Sequence, residues 1–344
     1  MPRKSKSLLA ASAAIALVLF ASGQNPPPQK DNQARPNDDQ SVQTFKVSVD
    51  VVNVFYNVKD GHGALIPGQL KDDFELFEDG HTQTIKYFSA ESNQPLTMGI
   101  LIDTSPSQSR VLGMEQEVGA AFLRQVMTAK DIAFLISFDT NVDLLQDYTS
   151  DPGELRRAMR KARIGGGEVD MAGVGGNPVP TLGPRGGTNL YDAVYLASRE
   201  QLAQETGRKA MILLTDGGEN GSKVRLADAI EAAQKADVIC YVLLVEDRQL
   251  YFQQGWAFPG DGLVKKLTSE TGGRVIEVGN KPEKLKDAFD KISNELRSQY
   301  NIGYVSTNTQ QDGSFRKIEI KSRKGYKVQA RRGYYARTGS SAAD

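Results

Sequence analysis

Three short stretches carry residue types that could hold a hard metal ion. Asp103-Thr104-Ser105-Pro106-Ser107 sets an acid and two hydroxyls at alternate positions directly after the apolar run 98–102. Gly186-Gly187-Thr188-Asn189 sets a threonine hydroxyl after a glycine turn and ahead of a helical stretch, and Thr215-Asp216-Gly217-Gly218 sets an acid directly after the apolar run 210–214. Carboxylate and hydroxyl oxygens suit Mg²⁺ or Ca²⁺ better than a soft metal. Each stretch alone is common, and a serine-rich turn capping the next helix has the same spacing as the first. The three act together only if the fold brings them to one place.

The elements around them predict such a fold. Residues 94–298 alternate short apolar runs (98–102, 132–138, 210–214, 238–245 and 274–278) with stretches of helical periodicity (111–127, 155–162, 190–204, 226–236, 263–271 and 282–296). That alternation predicts an α/β fold, a doubly wound, mostly parallel sheet covered on both faces. Ligands of such sheets sit beyond the C-terminal strand ends, which is where Asp103 and Asp216 fall. Asp139 and Asp143 also lie near a strand end, and Asp139 reads first as a turn or cap.

On either side the pattern is β. Residues 44–93 hold the β-branched run Val47, Val49, Val51 and Phe55, a turn at Asp60-Gly61-His62-Gly63, and the alternating segment 73–80. Alternation stops at Asp79-Gly80 and resumes at 84–88, a hairpin signal. Residues 299–337 hold three more strands, at 300–305, 317–321 and 326–330. Neither part is long enough to bury a sheet alone. They are therefore expected to pair as one small β-sandwich-like module, with the middle of the chain inserted between its halves.

Taken as a set, Asp-x-Ser-x-Ser, a downstream Gly-Thr and an apolar strand ending Thr-Asp-Gly resemble the metal-ion-dependent adhesion site of the von Willebrand factor A (vWA) and integrin inserted domains. The resemblance covers about 200 residues and includes all five ligand positions in order. It implies that Ser105, Ser107 and Thr188 contact a metal directly and that Asp103 and Asp216 act directly or through water. An Mg²⁺ held mostly by neutral hydroxyls keeps net positive charge and an open position for a carboxylate of a protein partner. Mn²⁺ and Ca²⁺ are the further candidates. The whole chain is also similar in order to the bacterial, Acidobacteria-type vWA-related proteins. These share a signal peptide, a strand segment like 73–80, the A-type domain and a tail like Arg331-Arg332-Gly333-Tyr334-Tyr335. The stretch 165–187, with Glu168 and Asp170, is a long Gly- and Pro-rich departure that reads as a mobile loop. It could gate the site or be a solvated insertion.

The remaining features narrow the function classes. Across 344 residues, 42 basic side chains balance 42 acidic ones, so no net field draws nucleic acid or an anionic membrane. The basic clusters Arg156-Arg157, Arg160-Lys161 and Arg331-Arg332 read as a helix surface and a strand end. The two histidines, His62 and His81, fall outside the middle segment, which leaves Ser105 and Ser107 without a histidine base. No phosphate-binding glycine-lysine motif occurs, so the expectation is a non-enzymatic protein, and the sequence identifies no small-molecule substrate. A structural cell-envelope scaffold and, behind it, a metal-assisted hydrolase are the alternatives. Arg3, Lys4 and Lys6 before the apolar run 8–21 and Ala21-Ser22-Gly23 read as a signal peptide over 1–23, with an uncleaved membrane anchor as the other reading. Pro-rich 24–43 reads as a disordered tether and 338–344 as a disordered tail. An exported protein results. Cys240 stands alone in an apolar run and reads as core filling. Phe252, Trp256 and Phe258 lie in a predicted loop over 249–261, either as partner surface or tucked inward.

Overall fold

In chain order the strands and helices are β1 (Val51–Lys59), β2 (Phe74–Glu78), β3 (His81–Gln83), β4 (Ile85–Glu91), β5 (Leu96–Asp103), α1 (Leu112–Val126), β6 (Ile132–Phe138), β7 (Val142–Thr149), α2 (Pro152–Met159) and α3 (Leu190–Leu196). There follow β8 (Arg208–Thr215), α4 (Leu226–Lys235), β9 (Val238–Leu244), α5 (Arg248–Gln254), α6 (Gly262–Thr271), β10 (Val275–Glu277), α7 (Pro282–Arg297), β11 (Gln299–Val305), β12 (Phe315–Ser322), β13 (Lys327–Ala330) and β14 (Gly333–Tyr335). This computed structural model describes residues 50–91, 94–165, 187–255 and 261–338, all within the unit Val49–Asp344. The signal segment, the tether, Val47, Val49, Glu168, Asp170, Gly186, Trp256, Phe258 and residues 339–344 lie outside the described residues.

A six-stranded sheet, in the order β10-β9-β8-β5-β6-β7, occupies the middle of the chain. Five strands run parallel and β7 pairs antiparallel with β6 at the edge. Every residue of β5 and β8 is buried, as expected where helices cover both faces. Alternate side chains of β5 and β8 enter opposite layers. Ile100, Ile102, Ile212 and Leu214 pack toward α1, α2 and α7, while Leu101, Met211 and Leu213 pack toward α3, α4 and α6. From β5 the chain moves one way to β6, and from β8 it moves the other way to β9 and β10. The winding therefore reverses between β5 and β8, and a crevice opens at their C-terminal ends.

Two four-stranded sheets are built from the flanking segments, β13-β1-β11-β4 and β14-β12-β2-β3. Strands from before and after the six-stranded sheet pair directly, with Val54 opposite Ile302 and Leu76 opposite Ile320. Both sheets contribute to one apolar cluster that includes Val54, Tyr56, Phe74, Ile302 and Ile318. The hairpin turns at Asp79 (φ 48°) and Gly80 (φ 82°), the positive pair that a two-residue turn needs. Its returning arm is β3, not the expected 84–88. After Gln83 the chain crosses into the other sheet as β4 and pairs with β11. The alternation in 84–88 marked a strand but carried no information on its partner.

The six-stranded sheet joins the flanking strands through β4 and β11, whose ends are paired at Glu91 and Gln299. Glu295, near the end of α7, takes an ion pair from Lys59 at 2.9 Å and another from Arg274. The glycine pair 272–273 permits the closest backbone approach. A Cβ on Gly272 would stand 2.6 Å from Arg331 N, and one on Gly273 would overlap the Cys240 carbonyl oxygen at 1.9 Å. Cys240 itself is fully buried, which pushes its thiol up to about 12, in keeping with core filling.

Candidate metal site

Asp103 is the last residue of β5, and its carboxylate is held in place by its own turn. Oδ1 accepts the Ser105 N–H at 2.9 Å. Oδ2 accepts the Thr215 hydroxyl at 2.6 Å, which ties the end of β5 to the end of β8. Ser105 is extended, and Pro106–Gln108 then makes one tight turn closed by Gln108 N–H on Ser105 O at 2.9 Å. That turn sets the Ser105 and Ser107 hydroxyl oxygens 3.0 Å apart.

Thr188 is fixed by a two-way backbone bridge to Asn220 in the loop after β8, both bonds 3.0 Å long. Asp216 leads into Gly217, whose φ of 81° turns the chain back so that Gly218 N–H meets Asp216 Oδ1 at 2.9 Å. A Cβ placed on Gly218 would stand 3.0 Å from that oxygen and 3.9 Å from Thr188 Oγ1, so both oxygens face the same glycine. Asp103, Ser105, Ser107, Thr188 and Asp216 are thus gathered at the crevice between β5 and β8.

Two residues that sequence reasoning passed over stand beside them. Tyr251, on α5, donates its hydroxyl to Asp216 Oδ2 at 2.5 Å and also interacts with the Ser107 side chain. The predicted loop 249–261 is thus a helix in its first part. Asp247 caps it by accepting Gln249 N–H and Leu250 N–H, and Gly255 closes it at φ 66°. The capping aspartate was the available signal, but a seven-residue helix offers too little periodicity to read. Glu115 lies in the first turn of α1, fully buried, and both carboxyl oxygens lack a hydrogen-bond partner among the described residues. Its signal was an acid on the apolar face of a helix.

The charges explain what the cluster can do. Asp103 has no exposed surface; burial, and then the neighbouring Asp216, push its carboxyl up to about 7, against the pull of Ser105 and Thr215. Burial raises Glu115 well above the carboxylate range, with Asp103 and Asp216 adding to the effect. Burial thus disfavours the charged forms of Asp103 and Glu115, and a divalent cation is the complement that would offset that cost. Among the described residues no cluster of three His, Cys, Asp or Glu side chains has metal-ligand geometry. Any ion here would therefore rest largely on the hydroxyls of Ser105, Ser107 and Thr188. These fit Mg²⁺, which takes few carboxylates and keeps waters. Because a raised carboxyl must lose its proton before an ion enters, Mg²⁺ affinity is expected to rise with pH and level off above about 7. Below that the loss should be about tenfold per pH unit for each proton released. Calorimetric titrations in two buffers of different ionisation enthalpy would show the proton release.

The other candidates are placed elsewhere or serve the scaffold. Asp139 accepts Asn141 N–H at 2.9 Å and the Thr140 and Thr104 hydroxyls, the bonds of a turn residue, and Asp143 is exposed. His62 lies in the turn after β1 and His81 at the start of β3, both exposed. Arg156, Arg157, Arg160 and Lys161 are exposed on and just after α2, and Arg331 pairs with Asp237. Phe252 is 88% exposed on α5. No helix among the described residues is long and apolar enough to cross a membrane.

No protein-family model matches the chain, and no curated protein does. Solved structures with a similar arrangement include the conserved hypothetical protein BatB from Bacteroides thetaiotaomicron, 19% identical with a TM-score of 0.43 over 59% of this chain and 100% of that one. The mussel byssus proximal thread matrix protein 1, with a zinc-occupied MIDAS motif, is 13% identical with a TM-score of 0.45 over 64% of this chain and 49% of that one. A von Willebrand factor type A protein from Catenulispora acidiphila is 11% identical with a TM-score of 0.43 over 85% of this chain and 74% of that one. Likenesses at these scores carry neither a function nor a site across.

Proposed function

We propose that this chain is an exported, non-enzymatic binding protein whose middle segment, 94–298, is a vWA-type domain that holds one divalent cation and offers it to a partner's carboxylate. The supporting observation is the gathering of Asp103, Ser105, Ser107, Thr188 and Asp216 at the crevice between β5 and β8. The three hydroxyls would contact Mg²⁺, with Asp103 and Asp216 holding the cluster through water. So few direct negative ligands leave the ion electrophilic toward a carboxylate of another protein. On this reading the paired flanking segments 44–93 and 299–337 form a sandwich-like module that carries the domain. The leader 1–23 directs export, and the tether 24–43 holds the folded part off the envelope.

Calorimetric titration of the purified chain with Mg²⁺ and Mn²⁺, beside Thr188→Ala and Asp103→Ala, tests the site. One ion is expected to bind the wild-type chain, and neither variant should bind while both stay folded by circular dichroism. A variant binding at wild-type affinity would remove its residue from the site. Absence of binding by the wild-type chain would favour a structural scaffold.

A further inference from the structure

The phenol of Tyr251 reaches into the candidate metal site from an element that the five gathered residues do not need. Its hydroxyl donates to Asp216 Oδ2 at 2.5 Å and meets the Ser107 side chain. One oxygen thus spans two of the positions assigned to the ion's surroundings. The second oxygen of Asp216 already accepts the Gly218 N–H. Asp216 therefore has one carboxylate oxygen facing the phenol and one facing a backbone donor. A charge-assisted hydrogen bond of this kind is among the stronger ones a protein makes.

Tyr251 stands on a short helix. α5 spans seven residues, Arg248–Gln254, and a helix of that length is not stable by itself. It is held at its start by the cap from Asp247, along its inner face by Leu250 and Tyr251, which are buried, and by Arg110, which donates to Gln253 at 2.8 Å and pairs with Asp247 at 3.5 Å. Its outer side carries Phe252 in solvent. α5 lies outside the sheet, in which every residue of β8 and all but Ile239 of β9 are buried.

We propose that Tyr251 is an internal competitor of the cation: its hydroxyl ties Asp216 to Ser107 in the metal-free site, and α5 releases it when the ion enters. This inference rests on the reading of the cluster as a metal site. Two consequences follow from the competition. The metal-free carboxylate is stabilised by the phenol, which lowers the affinity for the ion. Metal binding also moves the phenol away from a carboxylate, which changes the tyrosine absorption of the chain.

Mg²⁺ titration of the full chain, of Tyr251→Phe and of Asp247→Ala tests this. Tyr251→Phe removes only the hydroxyl, and Asp247→Ala removes the cap of α5 and its ion pair with Arg110 while keeping the phenol. Both variants are expected to bind Mg²⁺ about tenfold more tightly than the wild-type chain, the weight of one hydrogen bond to a charged group. The near-ultraviolet tyrosine difference spectrum produced by Mg²⁺ should appear in the wild-type chain and vanish in Tyr251→Phe. Unchanged or weaker binding in both variants, or a difference spectrum that survives in Tyr251→Phe, would overturn the competition. If Mg²⁺ binds none of the chains, or binds equally well to Asp103→Ala, the metal site itself is refuted and the inference falls with it.

Discussion

Asp103→Asn is expected to stabilise the metal-free chain at about pH 8 while abolishing its thermal response to Mg²⁺, with a gain on the order of 3 kcal/mol. The asparagine keeps the shape of the side chain, and its oxygen can still accept the Ser105 N–H. It removes a carboxyl that burial and Asp216 push up to about 7. For an acid raised in the folded state, stability is fully present below the ordinary carboxyl range and is lost as pH rises toward the folded value. The wild-type chain should therefore lose stability between about pH 4 and about pH 7, where the unfolded chain has released a proton that the folded chain retains. Asparagine does not titrate, so the two melting curves should converge near about pH 4 and separate above it. Added Mg²⁺ should reverse the order at high pH, since it binds only the folded wild-type site. A variant that still gains melting temperature from Mg²⁺ would show that Asp103 is not part of the site.

That trade explains which part of the site was open to sequence reasoning. Asp103 and Asp216 could be found because each directly follows an unbroken apolar run, and the ends of fully buried parallel strands are where this architecture collects ligands. Ser105 and Ser107 follow by spacing. Thr188 depended on the whole pattern, because its place is set by the bridge to Asn220, a contact across 32 residues that no local signal announces. Glu115 and Tyr251 were passed over for different reasons. Glu115 breaks the apolar face of α1, an oddity that only becomes chemistry once Asp103 and Asp216 are known to lie beside it. Tyr251 sits on a helix too short to leave a period.

The strands of the flanking segments were legible one by one and their partners were not. Alternation placed β2 and the returning chain at 84–88, yet the return splits between two sheets after Gln83. β7 was missed altogether. Its residues are half-buried or exposed at the edge of the sheet, so it lacks the apolar run that marked the inner strands. Edge strands with one wet face carry the weakest local signal.

Glu78→Ala carries the other large effect, an expected loss of about 3–5 kcal/mol in chemical denaturation, the usual result of leaving one half of a buried ion pair alone. Period-two alternation puts Glu78 on the same face of β2 as Phe74 and Leu76, which is the buried face. It survives there because four side chains converge on it. Tyr304 donates at 2.7 Å, Ser306 at 2.5 Å, Tyr334 at 3.1 Å, and Arg316 lies 3.4 Å away, itself 1% exposed. Truncation leaves the guanidinium with the Asn308 and Gln310 carbonyls and only the half-exposed Asp312 carboxylate, 3.7 Å away, and leaves the tyrosine hydroxyls without their acceptor. Replacing Glu78 and Arg316 together with methionine should recover part of the loss, because the desolvation cost of both charges disappears while the Tyr304 and Tyr334 hydroxyls stay unpaired. Mg²⁺ affinity measured on folded Glu78→Ala at low temperature should match the wild-type chain, since the pair packs among the flanking strands and touches none of the five gathered residues. A loss below about 1 kcal/mol would mean that water reaches the pair, as it does at exposed salt bridges.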